Sequence, residues 1–186
     1  AKLPVLRQLA IVSALEKRLQ GIVNDIQPDI IQCHSPALNG VAAIRIGKKT
    51  RIPVVYEVRA FWEDAAVDHG TCKEDGLKYK LTRGLESWVA AHSHQITTIC
   101  HGLRDDLVDR GLDPEKITVV PNAVDTDQFQ FGPSKDQSLA RQLGLDGKTV
   151  IGFIGSFYAY EGLMFLIESV PELLRSRKDI LLLLVG

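Results

Sequence analysis

Gln95-Ile96-Thr97-Thr98-Ile99-Cys100, then Leu103 to Arg110, then Ile117-Thr118-Val119-Val120, is the stretch that decides the fold. Its first and last pieces are short and rich in β-branched residues, which predicts strands. The middle piece is a short helix closed by Gly111, and Pro121 stops the second strand. Strand, helix and strand in quick succession predict a crossover between parallel strands.

The same alternation extends toward the N-terminus. Val5, Leu9, Val12, Leu19, Ile22, Val23 and Ile26 recur at helical spacing, predicting one amphipathic helix over residues 5–26 that Pro28 ends. Asp29 to Cys33 predicts a strand, Leu38 to Lys49 a helix with Gly40 near its start, and Pro53 to Val58 a strand. Residues 75–92 carry Leu77, Leu81, Leu85, Trp88 and Val89 on one helical face. Four strands alternating with helices predict a parallel sheet with helices on both faces, and near-continuous apolar strands fit burial on both sides.

Toward the C-terminus the texture changes. Asn122, Asp125, Asp127, Gly132, Pro133, Ser134, Asp136, Gly144 and Gly147 mark a linker with one short helix near Leu139 to Leu143. Thr149 to Gly155 then predicts a fresh buried strand. Leu163, Leu166, Ile167, Val170, Leu173 and Leu174 predict a helix that kinks or restarts at Pro171, and Ile180 to Val185 predicts another strand. The expected organisation is a first α/β domain over 1–121, a linker over 122–147 and the start of a second α/β domain over 148–186. The opening on Ala1 and the stop after an apolar strand read as a piece of a larger protein. Exposed sheet edges in such a piece predict self-association, and the piece alone is expected to be inactive.

Composition narrows the function classes. Of 186 residues, 45% are hydrophobic and 24% charged, which argues against disorder and fibrous repeats. The 22 basic and 23 acidic side chains leave a net charge of −1, so nothing suggests non-specific nucleic-acid binding. Cys33, Cys72 and Cys100 are odd in number and share no CxxC spacing. A disulfide framework and a structural zinc site are therefore disfavoured, and a reducing compartment fits. No apolar run approaches the ~20 residues of a membrane span, and the N-terminus does not read as a signal peptide.

In a doubly wound sheet the ligand lies outside the carboxyl ends of the strands. That rule selects His34-Ser35-Pro36, Arg59 to Asp64, His101-Gly102, Asn122 to Asp125 and Gly155 to Gly162. The first four lie on one edge of the first sheet and the fifth on the matching edge of the second, which predicts an inter-domain cleft. Arg59 offers a planar fork for phosphate or carboxylate, Trp62 a flat face, and Glu63 and Asp64 acceptors for sugar hydroxyls or a proton. The competing reading pairs Arg59 with Glu57 or Asp64 and packs Phe61 and Trp62 in the core. Gly155 and Ser156 precede a helix whose free N–H groups suit phosphate. His34 is equally suited to ligand contact and to local hydrogen bonding. His92 and His94 are expected at a helix end rather than on a metal, and His101 at a helix N-cap. Lys78, Lys80 and Arg83 read as the wet face of a helix, and Cys33 and Cys100 as small buried hydrophobes.

Lys116-Ile117-Thr118-Val119-Val120-Pro121-Asn122-Ala123-Val124-Asp125-Thr126-Asp127-Gln128-Phe129 resembles a known signature. It is the hinge of the large family of retaining glycosyltransferases often called family 4, K-I-x-V-I-P-N-G-V-D-x-x-x-F. Thr97 to Leu103 with Gly111 resembles the strand and helix before that hinge, and Ile151 to Ser156 with Glu161-Gly162-Leu163 the opening of the donor-binding domain. Tyr56 to Asp64 is similar to a subgroup associated with bacterial exopolysaccharide and exosortase loci.

The resemblance implies a GT-B fold, that is, part of two Rossmann-like doubly wound domains with parallel sheets. It implies transfer of a sugar, with retention, from a nucleotide-diphosphate-sugar donor to a glycan or lipid-linked acceptor, in bacterial exopolysaccharide synthesis. No cofactor and no metal are expected, since the nucleotide sugar is a substrate. Arg59, Glu63 and Asp64 are the expected catalytic residues. His34, Trp62, Asn122, Asp125, Gly155 and Ser156 are the expected substrate-binding residues. The expected location is cytoplasmic, with peripheral contact at the inner face of the cell membrane.

A Gly-rich loop is expected before Ala1 and an E-x7-E motif after Gly186. Two departures stand out. Many relatives carry a His where Arg59 stands, and an Arg and a Lys where Ser156 and Glu161 stand. Glu161 would repel a diphosphate and is expected instead to cap the following helix. Two other readings keep the architecture: a nucleotide-sugar epimerase, and a sugar-nucleotide-binding module without catalysis.

Overall fold

The structure is a computed structural model that describes residues 4–130, 132 and 135–186. Ala1, Pro133 and Ser134, and the side chain of Val5, lie outside the described residues. The chain divides into two compact units, Ala1–Ala123 and Val124–Gly186.

In the first unit, α1 (Pro4–Ile26), β1 (Ile31–His34), α2 (Ala37–Thr50), β2 (Val54–Val58), α3 (Trp62–Asp68), α4 (Leu77–His92), β3 (Gln95–Thr98), α5 (His101–Asp109) and β4 (Ile117–Val119) follow in order. The four strands pair in parallel in the order β1-β2-β3-β4. Two rows run straight across the sheet. Cys33, Tyr56, Ile96 and Ile117 are in register, and so are His34, Glu57, Thr97 and Thr118. Strand residues alternate between faces, so the two rows point to opposite sides.

The first row is buried throughout. In the second row His34 and Thr118 are exposed, and Glu57 and Thr97 are half-buried. Of the expected helices on both faces, those that connect these four strands lie on one. Strands laid down in chain order always step the same way, and right-handed crossovers then place α2, α4 and α5 on one side. Packing agrees. A Cβ on Gly40 of α2 would overlap Val89 Cγ1 of α4 and lie 3.1 Å from Tyr56 Cε2, so these helices meet on the Tyr56 face.

A correction concerns α4. Its buried residues are Glu86, Val89 and Ala90. Leu77 and Leu81 are 76% and 65% exposed, and Leu85 and Trp88 are exposed as well. The helix is apolar on two faces, and tertiary packing turned the less obvious one inward. Segment α3 was not expected; it begins inside the stretch read as a loop.

In the second unit, α6 (Gln137–Gln142), β5 (Thr149–Ile154), α7 (Leu163–Ser176) and β6 (Ile180–Val185) follow in order, and β5 pairs with β6 in parallel. Asp136 caps α6 by accepting from Ser138 N at 2.9 Å and Leu139 N at 3.0 Å. Pro171 lies inside α7, which runs from Leu163 to Ser176 as a single helix rather than restarting.

Candidate functional site

The carboxyl edge of the first sheet gathers several of the expected residues. His34 ends β1 opposite Glu57 on β2. Residues two apart on a strand share a face, so Gln32 and His34 stand on the side of Glu57, and Arg59, just past β2, meets Glu57 there. Glu57 Oε2 accepts from Gln32 Nε2 at 2.8 Å and lies 3.0 Å from His34 Nδ1. Glu57 Oε1 lies 3.7 Å from Arg59 Nε. The His34 and Arg59 side chains are 55% and 57% exposed, while that of Glu57 is 20% exposed. Ser35 ties the two strand ends together. Its N–H donates to Glu57 O at 2.9 Å, and its Oγ accepts from Arg59 N at 3.4 Å. Of the two partners weighed for Arg59, Glu57 is the one it meets.

Trp62, Glu63 and Asp64 open α3 and diverge at once, because successive helical residues point about a quarter-turn apart. Trp62 is exposed. Asp64 accepts from Tyr79 OH at 2.7 Å, and that bond, with some burial, pushes the Tyr79 hydroxyl up to about 12. Glu63 turns inward and is fully buried. Its Oε1 lies 2.6 Å from Arg110 Nη1, and Asp106 Oδ2 lies 2.8 Å from Arg110 Nη2. The Arg110 guanidinium stacks 3.7 Å over the Phe61 ring. Glu63 Oε2 has no hydrogen-bond partner among the described residues. Glu63 therefore anchors α3 to the residue that closes α5, while Arg59, Trp62 and Asp64 remain at the surface.

A second buried carboxylate had no signal in the sequence. Glu86 of α4 accepts from Ala37 N at 2.7 Å, so it satisfies the N-terminus of α2, which Pro36 leaves without a side-chain cap. Its other oxygen accepts from Tyr56 OH. Burial holds the Glu86 carboxyl above the ordinary carboxylate range, against the pull of these two bonds. Burial also pushes the Cys33 thiol up to about 12, in keeping with a small core hydrophobe.

The histidines at the end of α4 separate. His92 Nδ1 sits 2.8 Å from Trp88 O and its ring stacks on Trp88. His94 Nδ1 accepts from Val54 N at 3.0 Å. His101 is the first residue of α5, and the N-cap position is held by Cys100, which is exposed rather than buried. Among the described residues, no group of three or more His, Cys, Asp or Glu could hold a metal ion. No helix among them is long and apolar enough to cross a membrane. A hollow of ≈ 580 Å³ lined by Val23, Asn24, Gln27, Pro28, Thr50 and Ile52 lies by the amino ends of β1 and β2 and holds no charged side chain.

Asn122 is exposed after β4. In the second unit, Asp125 spends both oxygens locally, accepting from Asp127 N at 3.0 Å and Gln128 Nε2 at 2.9 Å. Gly155 follows β5, and its N–H donates to Val185 O at 2.9 Å. Ser156 is exposed, and its carbonyl accepts from Tyr158 N at 3.0 Å. A 3-10 turn, Ala159–Glu161, separates Ser156 from α7. The N-cap of α7 is Gly162 at φ 71°, with no side-chain cap, so Glu161 does not cap this helix. Glycine suits that left-handed position.

Comparison with known proteins bears on this arrangement. The family described as Glycosyltransferase Family 4 matches residues 2–128. The chain is 29% identical over 166 residues to the 2-deoxystreptamine glucosyltransferase of Streptomyces kanamyceticus, covering 85% of this chain and 42% of that protein. It is 38% identical over 153 residues to the D-inositol 3-phosphate glycosyltransferase of Segniliparus rotundus, covering 80% of this chain and 33% of that one. The chain thus spans less than half the length of these relatives.

Among solved structures, Anabaena HepE in complex with UDP and glucose superposes with a TM-score of 0.70 at 17% identity, over 95% of this chain and 43% of that one. A putative UDP-N-acetylglucosamine 2-epimerase from Listeria monocytogenes superposes at 0.60 and 17% identity, over 95% of this chain and 45% of that one. Likeness at this identity speaks for a shared fold.

Proposed function

The chain belongs to Glycosyltransferase Family 4 and is part of a GT-B-like α/β fold, and on that premise we propose that it serves the transfer of a sugar from a nucleotide-diphosphate donor to a glycan or lipid-linked acceptor. The observation that carries this reading is the cluster of His34, Glu57 and Arg59 on the carboxyl edge of β1 and β2, where parallel sheets bind ligands.

In the proposed reaction the bond between the sugar C1 and the diphosphate oxygen breaks, and C1 bonds to an acceptor hydroxyl oxygen with retention. The hydroxyl proton leaves with the nucleoside diphosphate or to water. Arg59 is an exposed cation for the charge that develops on the leaving diphosphate. His34 and Asp64 offer hydrogen-bonding groups to sugar hydroxyls, and Trp62 a flat face. Glu63, buried on Arg110, acts through the placement of α3. In the second unit Gly155 and Ser156 are the candidate donor-binding groups, and Asn122 and Asp125 are the candidate hinge residues. The UDP and UDP-glucose complexes of HepE fit a donor of this class. The likeness of Tyr56 to Asp64 to the exopolysaccharide subgroup supports a role in exopolysaccharide synthesis at the cytoplasmic side of the membrane. The proposal calls for no metal and no cofactor.

The test incubates the full-length protein with nucleotide sugars, with and without acceptor, and follows products by NMR. Acceptor-dependent release of nucleoside diphosphate, with the donor's anomeric configuration kept, supports the reading. Conversion of the donor without acceptor would replace it with an epimerase, and donor binding without turnover with a binding module.

A further inference from the structure

We propose that Glu57 is the positioning residue of this edge, setting the tautomer of His34 and the direction of Arg59; the inference rests on reading the edge as the substrate site. Glutamate is a poor strand former, yet Glu57 occupies β2 in register with His34 and Thr97. Core packing does not explain it, because Glu57 lies outside the hydrophobic cluster that Tyr56 and Val58 join. Stability explains it little, because ion pairs as exposed as those to His34 and Arg59 add little.

What Glu57 does is gather three donors from two strand ends. Gln32 Nε2 and His34 Nδ1 converge on Oε2, and Arg59 Nε faces Oε1. Parallel register sets this geometry on β1 and β2, and the bond from Arg59 N to Ser35 Oγ holds the residue just past β2. His34 lies directly across from Glu57, and Gln32 and Arg59 lie two residues away along the same face.

A carboxylate accepts and cannot donate, so the ring proton of a neutral His34 sits on Nδ1. Nε2 is then left with its lone pair, an acceptor for a sugar hydroxyl. Arg59, with Nε turned to Glu57, keeps its two Nη groups for an anion. Gln32 fills the remaining lone pair of Oε2 and holds the carboxylate in its plane. One carboxylate thereby presents a hydrogen-bond acceptor and a cationic fork side by side. That is the pair of chemistries a sugar joined to a diphosphate asks for.

The experiment uses the full-length protein with 15N-labelled histidine. Glu57→Ala is expected to shift the His34 proton from Nδ1 toward Nε2, read from the ring nitrogen chemical shifts, and to lower kcat/KM about tenfold. Glu57→Gln keeps an oxygen acceptor and is expected to retain the Nδ1 tautomer and recover part of the lost rate. Adding Glu57→Ala to a His34→Ala/Arg59→Ala double variant is expected to change nothing further, because the positioned groups are already gone. An unchanged tautomer in Glu57→Ala, normal kcat/KM, or a further loss on top of the double variant would each overturn the proposal. If the wild-type protein transfers no sugar, the functional reading fails, and the tautomer measurement still decides whether Glu57 positions His34.

Discussion

Glu63 and Arg110 form a buried ion pair, with Oε1 2.6 Å from Nη1 and side chains 0% and 4% exposed. They stand 47 positions apart and lock the start of α3 to the end of α5. Removing one partner of such a pair strands a buried charge and typically costs about 3–5 kcal/mol. Glu63→Ala should fall at the lower end, because Asp106 still holds Arg110. Urea unfolding of the variant measures this. A variant of normal stability that is slow would return Glu63 to a direct part in the chemistry.

Arg59 behaves in the opposite way. Its ion pair with Glu57 is long, at 3.7 Å, and exposed, so the pair is worth under about 1 kcal/mol. Arg59→Ala should therefore leave the melting temperature nearly unchanged. Turnover in the full-length enzyme should fall at least about tenfold, the effect of ~1.4 kcal/mol of lost transition-state stabilisation. Kinetics and a thermal melt on one sample separate the two effects. A destabilised variant with normal turnover per folded molecule would defeat the catalytic role.

Glu86 carries a pH dependence of definite sign. Burial raises its carboxyl above the ordinary 4.5, opposed by the bonds from Tyr56 and Ala37. The folded protein thus keeps this proton to higher pH than the unfolded chain does. Its contribution is complete below 4.5 and is lost as pH rises through the raised folded value. Glu86→Gln removes the titration. The stability of Glu86→Gln relative to wild type should improve from pH 4.5 upward and then level off. Chemical denaturation across that range is the measurement, and a relative stability that declines with pH would reverse the assignment.

The two faces of α4 should answer mutation differently. Leu81, 65% exposed, should tolerate Glu with a change within about 0.5 kcal/mol. Val89→Ala deletes two fully buried carbons and should cost about 2 kcal/mol. Gly40→Ala, pressed against Val89 and Tyr56, should cost about 1–3 kcal/mol. Denaturation midpoints of the three variants test the orientation. A large loss at Leu81 with none at Val89 would mean that the helix is turned the other way.

Much of the candidate site was legible before the structure, for a local reason. Parallel strands place their ligand side at their carboxyl ends, so His34 and Arg59 could be singled out from where two apolar runs stop. Glu57 was marked only as a possible partner of Arg59, since its contacts with Gln32 and His34 depend on strand register. Glu63 was marked by its neighbours Arg59, Trp62 and Asp64, yet α3 turned it inward. The helical start that rotates Glu63 away from Asp64 is too short to leave a periodic pattern.

The sequence by itself determined the alternation of strands and helices, the parallel sheet that follows from it, and the break in texture after Pro121. These rest on periodicity and turn chemistry, which act over a few residues. Only the tertiary structure decided which side of the sheet the connecting helices take, which face of α4 packs inward, and where the buried charges find partners. Glu86 meets Ala37 across 49 positions and Glu63 meets Arg110 across 47. Such pairings depend on strand order and on helix rotation, and a helix apolar on two faces is oriented by the packing around it. Register then brought Gln32, His34, Glu57 and Arg59 onto one face, a grouping that no local pattern encodes.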